Sequence, residues 1–200
     1  MGHQISNSMS KYWKSLCIDN YQAISDEVYD YVVNHTEVLS SKKNYFFSQH
    51  VGYMLTRCPL LVEFLKKQQL APVSLGIIVC NNQNELGMHK DSDGTYPWLR
   101  ILWPIKNCQG SKTKIWQVPD GAGSLTSDSD GILFVDFLPD QERELIDEFE
   151  LVSPVLFDAS CAHSVQPNAE IKEHRISLTI GFDRDLPISK SIKAWGNYTY

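Results

Sequence analysis

The sequence predicts a mainly β protein with N-terminal helices, and three observations carry that expectation. From Val73 onward the chain breaks into short runs rich in β-branched and aromatic residues, separated by clusters of Gly, Asn, Asp and Pro. Such runs favour a sandwich or barrel over a βαβ architecture. Before residue 72 the texture is helical. Finally, 200 residues with 42% hydrophobic and 21% charged residues suit one domain with a sizeable core.

Taken in order, a first helix is expected over Asp19 to Val33 and a second over Leu60 to Gln69, the latter with Cys58-Pro59 at its start. Strand-like runs follow at Val73–Cys80, Trp98–Ile105, Thr113–Val118, Ile132–Phe137, Val155–Phe157 and Arg175–Phe182. The acidic stretch Asp140 to Glu150 reads as a short surface helix or a loop over a barrel mouth. This divides residues 1–200 into a helical part over 1–71, a β core over 72–185 and a tail over 186–200, docked or frayed, with no internal repeat.

Charge and cysteine content narrow the class. A formal charge of −6 and a pI near 5.5 argue against a protein that holds nucleic acid on a broad basic surface. Trp98, Trp103 and Trp116 lie in strand-like segments without interleaved basic residues, so they read as sheet core rather than as a base-stacking platform. The five cysteines, Cys17, Cys58, Cys80, Cys108 and Cys161, are scattered, odd in number and without a Cys-x-x-Cys pair. That supports neither a disulfide framework nor a zinc knuckle and points to a reducing, cytoplasmic setting. No apolar stretch reaches the ~18 residues of a membrane span, so no membrane partner is expected. Met1-Gly2 opens a loose myristoylation match of a kind that arises often by chance. Oligomeric state is not fixed by the sequence.

Chemistry concentrates in a spaced set of polar residues that no folding argument requires: His89 and Asp91 in GMHKDSDG, His163 in FDASCAHSV, and Arg175 and Ser177 in HRISLTIGF. On a strand, residues i and i+2 share a face, so His89 and Asp91 converge while Lys90 points away. His163 lies far downstream and must arrive on a separate strand, with Ser-Pro-Val-Leu-Phe-Asp (153–158) as that strand's approach. Arg175 follows about a dozen residues later, room for a hairpin return, and shares a face with Ser177 and Thr179. Two imidazoles and one carboxylate on one face of an iron(II) ion leave positions open for substrate and dioxygen. A guanidinium with a hydroxyl two residues on suits a carboxylate.

This ordered set resembles the iron(II)- and 2-oxoglutarate-dependent oxygenases, whose signature is His-x-Asp, a distant His and an Arg-x-Ser on a double-stranded β-helix, the cupin-like jelly roll. The resemblance spans about residues 75 to 185. It implies Fe(II) on His89, Asp91 and His163, with Arg175 and Ser177 holding the distal carboxylate of the co-substrate 2-oxoglutarate. It also implies dioxygen consumption, oxidative decarboxylation of 2-oxoglutarate to succinate, and hydroxylation of a C–H bond. Leu99-Arg100-Ile101-Leu102-Trp103-Pro104-Ile105 and His163-Ser-x-x-Pro-Asn168 are most similar to the proline and aspartyl/asparaginyl hydroxylases. The chain departs from the latter group in having Asp91, and in having Ile101-Leu102 after Arg100 where that group has x-His, so substrate identity is not carried over. The expected substrate is a small polar molecule, an amino acid or a peptide residue.

Each residue also has a plainer reading: His89 and Asp91 as a surface pair beside turn chemistry, His163 as a core histidine, Arg175 as a partner for Glu173 or Asp183. Two other functions remain open at this point. One is a cupin-type metal hydrolase or isomerase, which needs the three ligands but neither 2-oxoglutarate nor Arg175. The other is a non-catalytic jelly-roll binding protein, in which His89 and His163 need not face each other.

Overall fold

A computed structural model describes residues 10–34, 45–49, 51–80, 86–91, 99–127 and 133–182. The expectations for Gly2, Trp98, Ile132, Asp183 and the tail over 186–200 fall outside these residues. Helix α1 (Tyr21–Val33) leads into strand β2 (Tyr45–Gln49), α2 (Val51–Arg57) and α3 (Pro59–Lys67), and a short strand β1 (Trp13–Ser15) precedes them. The β core then runs through β3 (Pro72–Cys80), β4 (Leu86–Lys90), β5 (Leu99–Lys106), β6 (Lys112–Gln117), β7 (Ser124–Ser127), β8 (Leu133–Asp136), β9 (Glu144–Glu150), β10 (Val155–Asp158), β11 (Ala162–Gln166) and β12 (Arg175–Phe182).

The strands form two six-stranded antiparallel sheets, ordered β1-β10-β5-β12-β3-β2 and β7-β8-β4-β11-β6-β9. From β3 to β6, and again from β9 to β12, consecutive strands alternate between the sheets. That alternation winds the chain into a jelly roll, the expected double-stranded β-helix. The β7–β8 hairpin extends the second sheet beyond β4, with β8 paired to β4.

The helices cover the outer face of the first sheet. Pro59 opens α3, where its missing N–H costs nothing. The Glu27 carboxylate of α1 accepts from the Leu60 and Leu61 amides at 2.9 and 3.1 Å. This cross-helix cap satisfies donors that the helix itself leaves unpaired. Leu61, Phe64 and Leu65 of α3 and Ile24, Val28 and Val32 of α1 share one core with Ile101 and Trp103 of β5, Leu75, Ile77 and Val79 of β3, and Ile176, Leu178 and Ile180 of β12. Trp103 is fully buried, as expected of sheet core, and its indole donates to Ser25 Oγ on α1 at 3.0 Å. Because β12 turns its even residues to the helices, Arg175, Ser177 and Thr179 face the second sheet.

Four local expectations are corrected. The acidic stretch read as helix or loop contains β9, which among the described residues is an edge strand paired only to β6. Its charges protect an open edge from further pairing, while Phe149 alone is buried on its inner side. The run before His163 is not the approach of the same strand: Val155–Asp158 is β10, in the other sheet between β1 and β5. Nor do His163 and Arg175 sit on a hairpin. Both edges of β11 are taken by β4 and β6, so the chain must cross to the first sheet to form β12. Lastly, the part up to residue 71 is not all helix, since β1 and β2 edge the first sheet.

Among the described residues no helix is long and apolar enough to cross a membrane.

Candidate metal centre

The pairing of β4 with β11 places His89 directly opposite His163, with ring centroids 4.4 Å apart. Asp91 lies just past β4, and its amide donates to the Ala159 carbonyl at 3.0 Å, tying it to the turn that leads into β11. One ligand atom each from His89, Asp91 and His163 lies within 4.8 Å of the others. The structure therefore brings together the three residues that the sequence grouped.

Both imidazoles are oriented by the same device. His89 Nδ1 lies 2.8 Å from the Gly87 carbonyl and His163 Nδ1 2.8 Å from the Cys161 carbonyl. A carbonyl only accepts, so each Nδ1 carries a hydrogen, and in the neutral ring each Nε2 keeps its lone pair. Backbone carbonyls serve this orienting role at histidine metal ligands generally. The Phe157 ring, edge-on to His163 at 4.9 Å, walls the site on the apolar side.

Electrostatics agree with that geometry. His163 is buried, and burial followed by the nearby His89 pushes its pKa down to about 4, so it is neutral at pH 7 with Nε2 free to bind. Burial opposes charge on His89, but the hydrogen bond and charge of Asp91 outweigh it and raise the imidazole. Burial would likewise raise Asp91. Arg100, then His89 and His163, hold its carboxyl well below the usual carboxylate range. Asp91 Oδ1 lies 3.4 Å from His89 Nε2. Two lone-pair atoms facing each other at that distance call for a proton or a metal cation between them. Two imidazole nitrogens and a carboxylate oxygen form a donor set that fits iron(II).

Arg175 and Ser177 stand across the interior, on β12. Arg175 is 2% exposed; its Nη1 donates to Ser177 Oγ at 3.1 Å and lies 3.9 Å from Cys80 Sγ. Its Nε is buried without a hydrogen-bond partner, as is Thr113 Oγ1. Among the described residues Arg175 makes no ion pair. The plainer pairing with Glu173 does not form, because Glu173 accepts from Asn107 instead. A buried guanidinium without a carboxylate is costly, and an anionic ligand would relieve that cost.

Arg100, to which the sequence assigns no role of its own, also belongs to the site. Arg100 is 9% exposed, and its Nε lies 2.8 Å from Asp91 Oδ2. The contact is an ion pair rather than an aligned hydrogen bond. Its Nη1 reaches Thr179 Oγ1 at 3.5 Å. At Gly181 a Cβ would overlap Ser74 Oγ but meet Arg100 Nη1 only in ordinary contact, at 3.6 Å. The available signal was a single cation inside the apolar strand Leu99-Arg-Ile-Leu-Trp. Cys161 stands two residues before His163. Burial, then Asp158, pushes its thiol up to about 12.

No protein-family model matches this sequence, and no curated protein matches it significantly. Solved structures do resemble it. The non-haem α-ketoglutarate-dependent carbocyclase SnoK from nogalamycin biosynthesis aligns over 88% of this chain and 84% of its own, at 12% identity and a TM-score of 0.51. AviO1 from Streptomyces viridochromogenes Tue57 aligns over 88% and 91%, at 13% identity and a TM-score of 0.49. A prolyl-4-hydroxylase from Pseudomonas putida aligns over 87% and 92%, at 12% identity and a TM-score of 0.45. The chain thus carries the jelly-roll fold of the iron- and 2-oxoglutarate-dependent oxygenases.

Proposed function

We propose that this chain is a non-haem iron(II)- and 2-oxoglutarate-dependent dioxygenase that hydroxylates a C–H bond of a small polar molecule, an amino acid or a peptide residue. With Fe(II), 2-oxoglutarate and dioxygen bound, such a centre supplies oxidative decarboxylation coupled to oxidation of an unactivated carbon. The chain's own residues have separate tasks. His89 Nε2, His163 Nε2 and Asp91 Oδ1 would hold the metal, and the Gly87 and Cys161 carbonyls keep the imidazoles turned to it. Arg175, aligned by Ser177, would hold the far carboxylate of 2-oxoglutarate. Phe157 excludes water from the His163 side.

The observation that carries this reading is the buried guanidinium of Arg175, without an ion pair among the described residues, on the same interior as the three proposed ligands. A zinc-type hydrolase or isomerase on this roll would use the ligands but has no task for that cation. A non-catalytic binding protein has no need of facing imidazoles. The substrate class rests on charge: an acidic chain lacks the counterion release that dominates affinity for nucleic acid. The test is succinate formation from 2-oxoglutarate by the iron-loaded chain, screened against amino acids, amino-acid-derived metabolites, peptides and methylated oligonucleotides. Substrate-stimulated succinate with one of the first three supports the reading. Stimulation by oligonucleotides alone overturns the substrate class, and absence of succinate with every candidate counts against the reaction.

A further inference from the structure

Asp91 presents its two oxygens to different partners. Oδ1 faces His89 Nε2 at 3.4 Å, on the side of the ligand cluster, and Oδ2 lies 2.8 Å from Arg100 Nε. The guanidinium comes from the opposite sheet and is itself located, with Nη1 donating to Thr179 Oγ1 at 3.5 Å. Asp91 is therefore held between a backbone tie to Ala159 on one side and a fixed cation on the other. From this division we infer that Arg100 is a positioning residue that restricts Asp91 to a one-oxygen ligand. The inference rests on the metal site proposed above.

A carboxylate can take a metal with one oxygen or two, and a second bound oxygen would fill one of the positions that an open catalytic site must keep. With Oδ2 engaged by Arg100, only Oδ1 is offered. Two opposing effects follow when Arg100 is removed. Loss of orientation weakens the site, and groups that orient metal ligands typically contribute about ten- to a hundredfold to affinity. Loss of a nearby positive charge favours a divalent cation. The placement of Arg100, on β5 inside the roll and packed against Thr179, makes orientation the larger effect.

The test uses Co(II) as probe, with the full chain, reading both affinity by calorimetry and the visible ligand-field spectrum, which responds to coordination number. Arg100→Gln is expected to weaken Co(II) binding about ten- to a hundredfold and to change the spectrum. Arg100→Lys, which keeps a cation without the planar head, should fall between it and the parent. In an Asp91→Asn background the Arg100→Gln substitution should have little further effect, because the group it positions is gone. Affinity within threefold of the parent with an unchanged spectrum would overturn the inference. So would tighter binding, or an effect that persists in full without Asp91. If the parent chain itself binds no Co(II), the metal-site reading fails instead, which is a different result. Should Arg100→Gln fail to fold, the Arg100→Lys spectrum alone, unchanged from the parent, is enough to reject the assignment.

Discussion

The two faces of β12 are equally buried and chemically opposite. Toward the helices the strand presents Ile176, Leu178 and Ile180, packed in one core with Trp103 and Leu61. Toward the second sheet it presents Arg175, Ser177 and Thr179, none more than 2% exposed. Apolar burial on the first face stabilises the fold at roughly 25 cal/mol per Å² removed from water. Burial on the second face is unfavourable unless every polar atom finds a partner, and among the described residues Arg175 Nε has none. Stability accounts for one face only; the other makes sense if its partner is a ligand.

Substitutions on the two faces should therefore separate stability from function. The largest effect is expected at the ligands opposite β12: His89→Ala and His163→Ala should each abolish metal-dependent turnover while leaving the roll folded. Far-ultraviolet circular dichroism and metal binding read the two outcomes separately. In the parent chain, metal at a hundred times its dissociation constant should add about 2.7 kcal/mol. That is a rise in Tm of about 5–10 °C for a chain of this size, and either histidine variant should lose it.

On the helix-facing side, Leu178→Ala should cost about 2–5 kcal/mol in denaturant unfolding, as deletion of a fully buried leucine side chain does. Metal affinity measured well below the unfolding temperature should stay unchanged. On the interior side the sign should reverse. Arg175→Met removes a buried cation that makes no ion pair among the described residues and should leave the ligand-free chain as stable as the parent, or more stable by up to about 4 kcal/mol. A loss of several kcal/mol on Arg175→Met would mean that the guanidinium is a structural group and would erase the contrast between the faces. Smaller still is Ser177→Ala, which removes the hydroxyl accepting from Arg175 Nη1. It should raise the 2-oxoglutarate dissociation constant about two- to tenfold, the equivalent of one hydrogen bond.

Much of this was legible in the sequence, for a physical reason. His89, Asp91, His163, Arg175 and Ser177 are polar residues embedded in strand-like runs, and the period of two on a strand already assigns shared faces. The order of strands between sheets was not legible, because it depends on which edges are free when the chain returns. Hence β10 looked like the approach to β11, and β12 like its hairpin partner. The β9 strand was hidden because an exposed edge strand carries charges that resemble those of a surface helix. Arg100 was hidden because its contact with Asp91 joins opposite sheets, a relation that local spacing cannot express.

A His89-Asp91-His163 metal centre and an anion held by Arg175 in the same site are tested most directly by anaerobic calorimetric titration of 2-oxoglutarate into the Fe(II)-loaded chain. The account predicts one equivalent bound, strong dependence on the metal, and a loss of affinity of about ten- to a hundred-and-fifty-fold in Arg175→Ala, the equivalent of about 1.5–3 kcal/mol for hydrogen bonding to a charged group. No binding of 2-oxoglutarate, or binding that is indifferent to both the metal and Arg175, would contradict it.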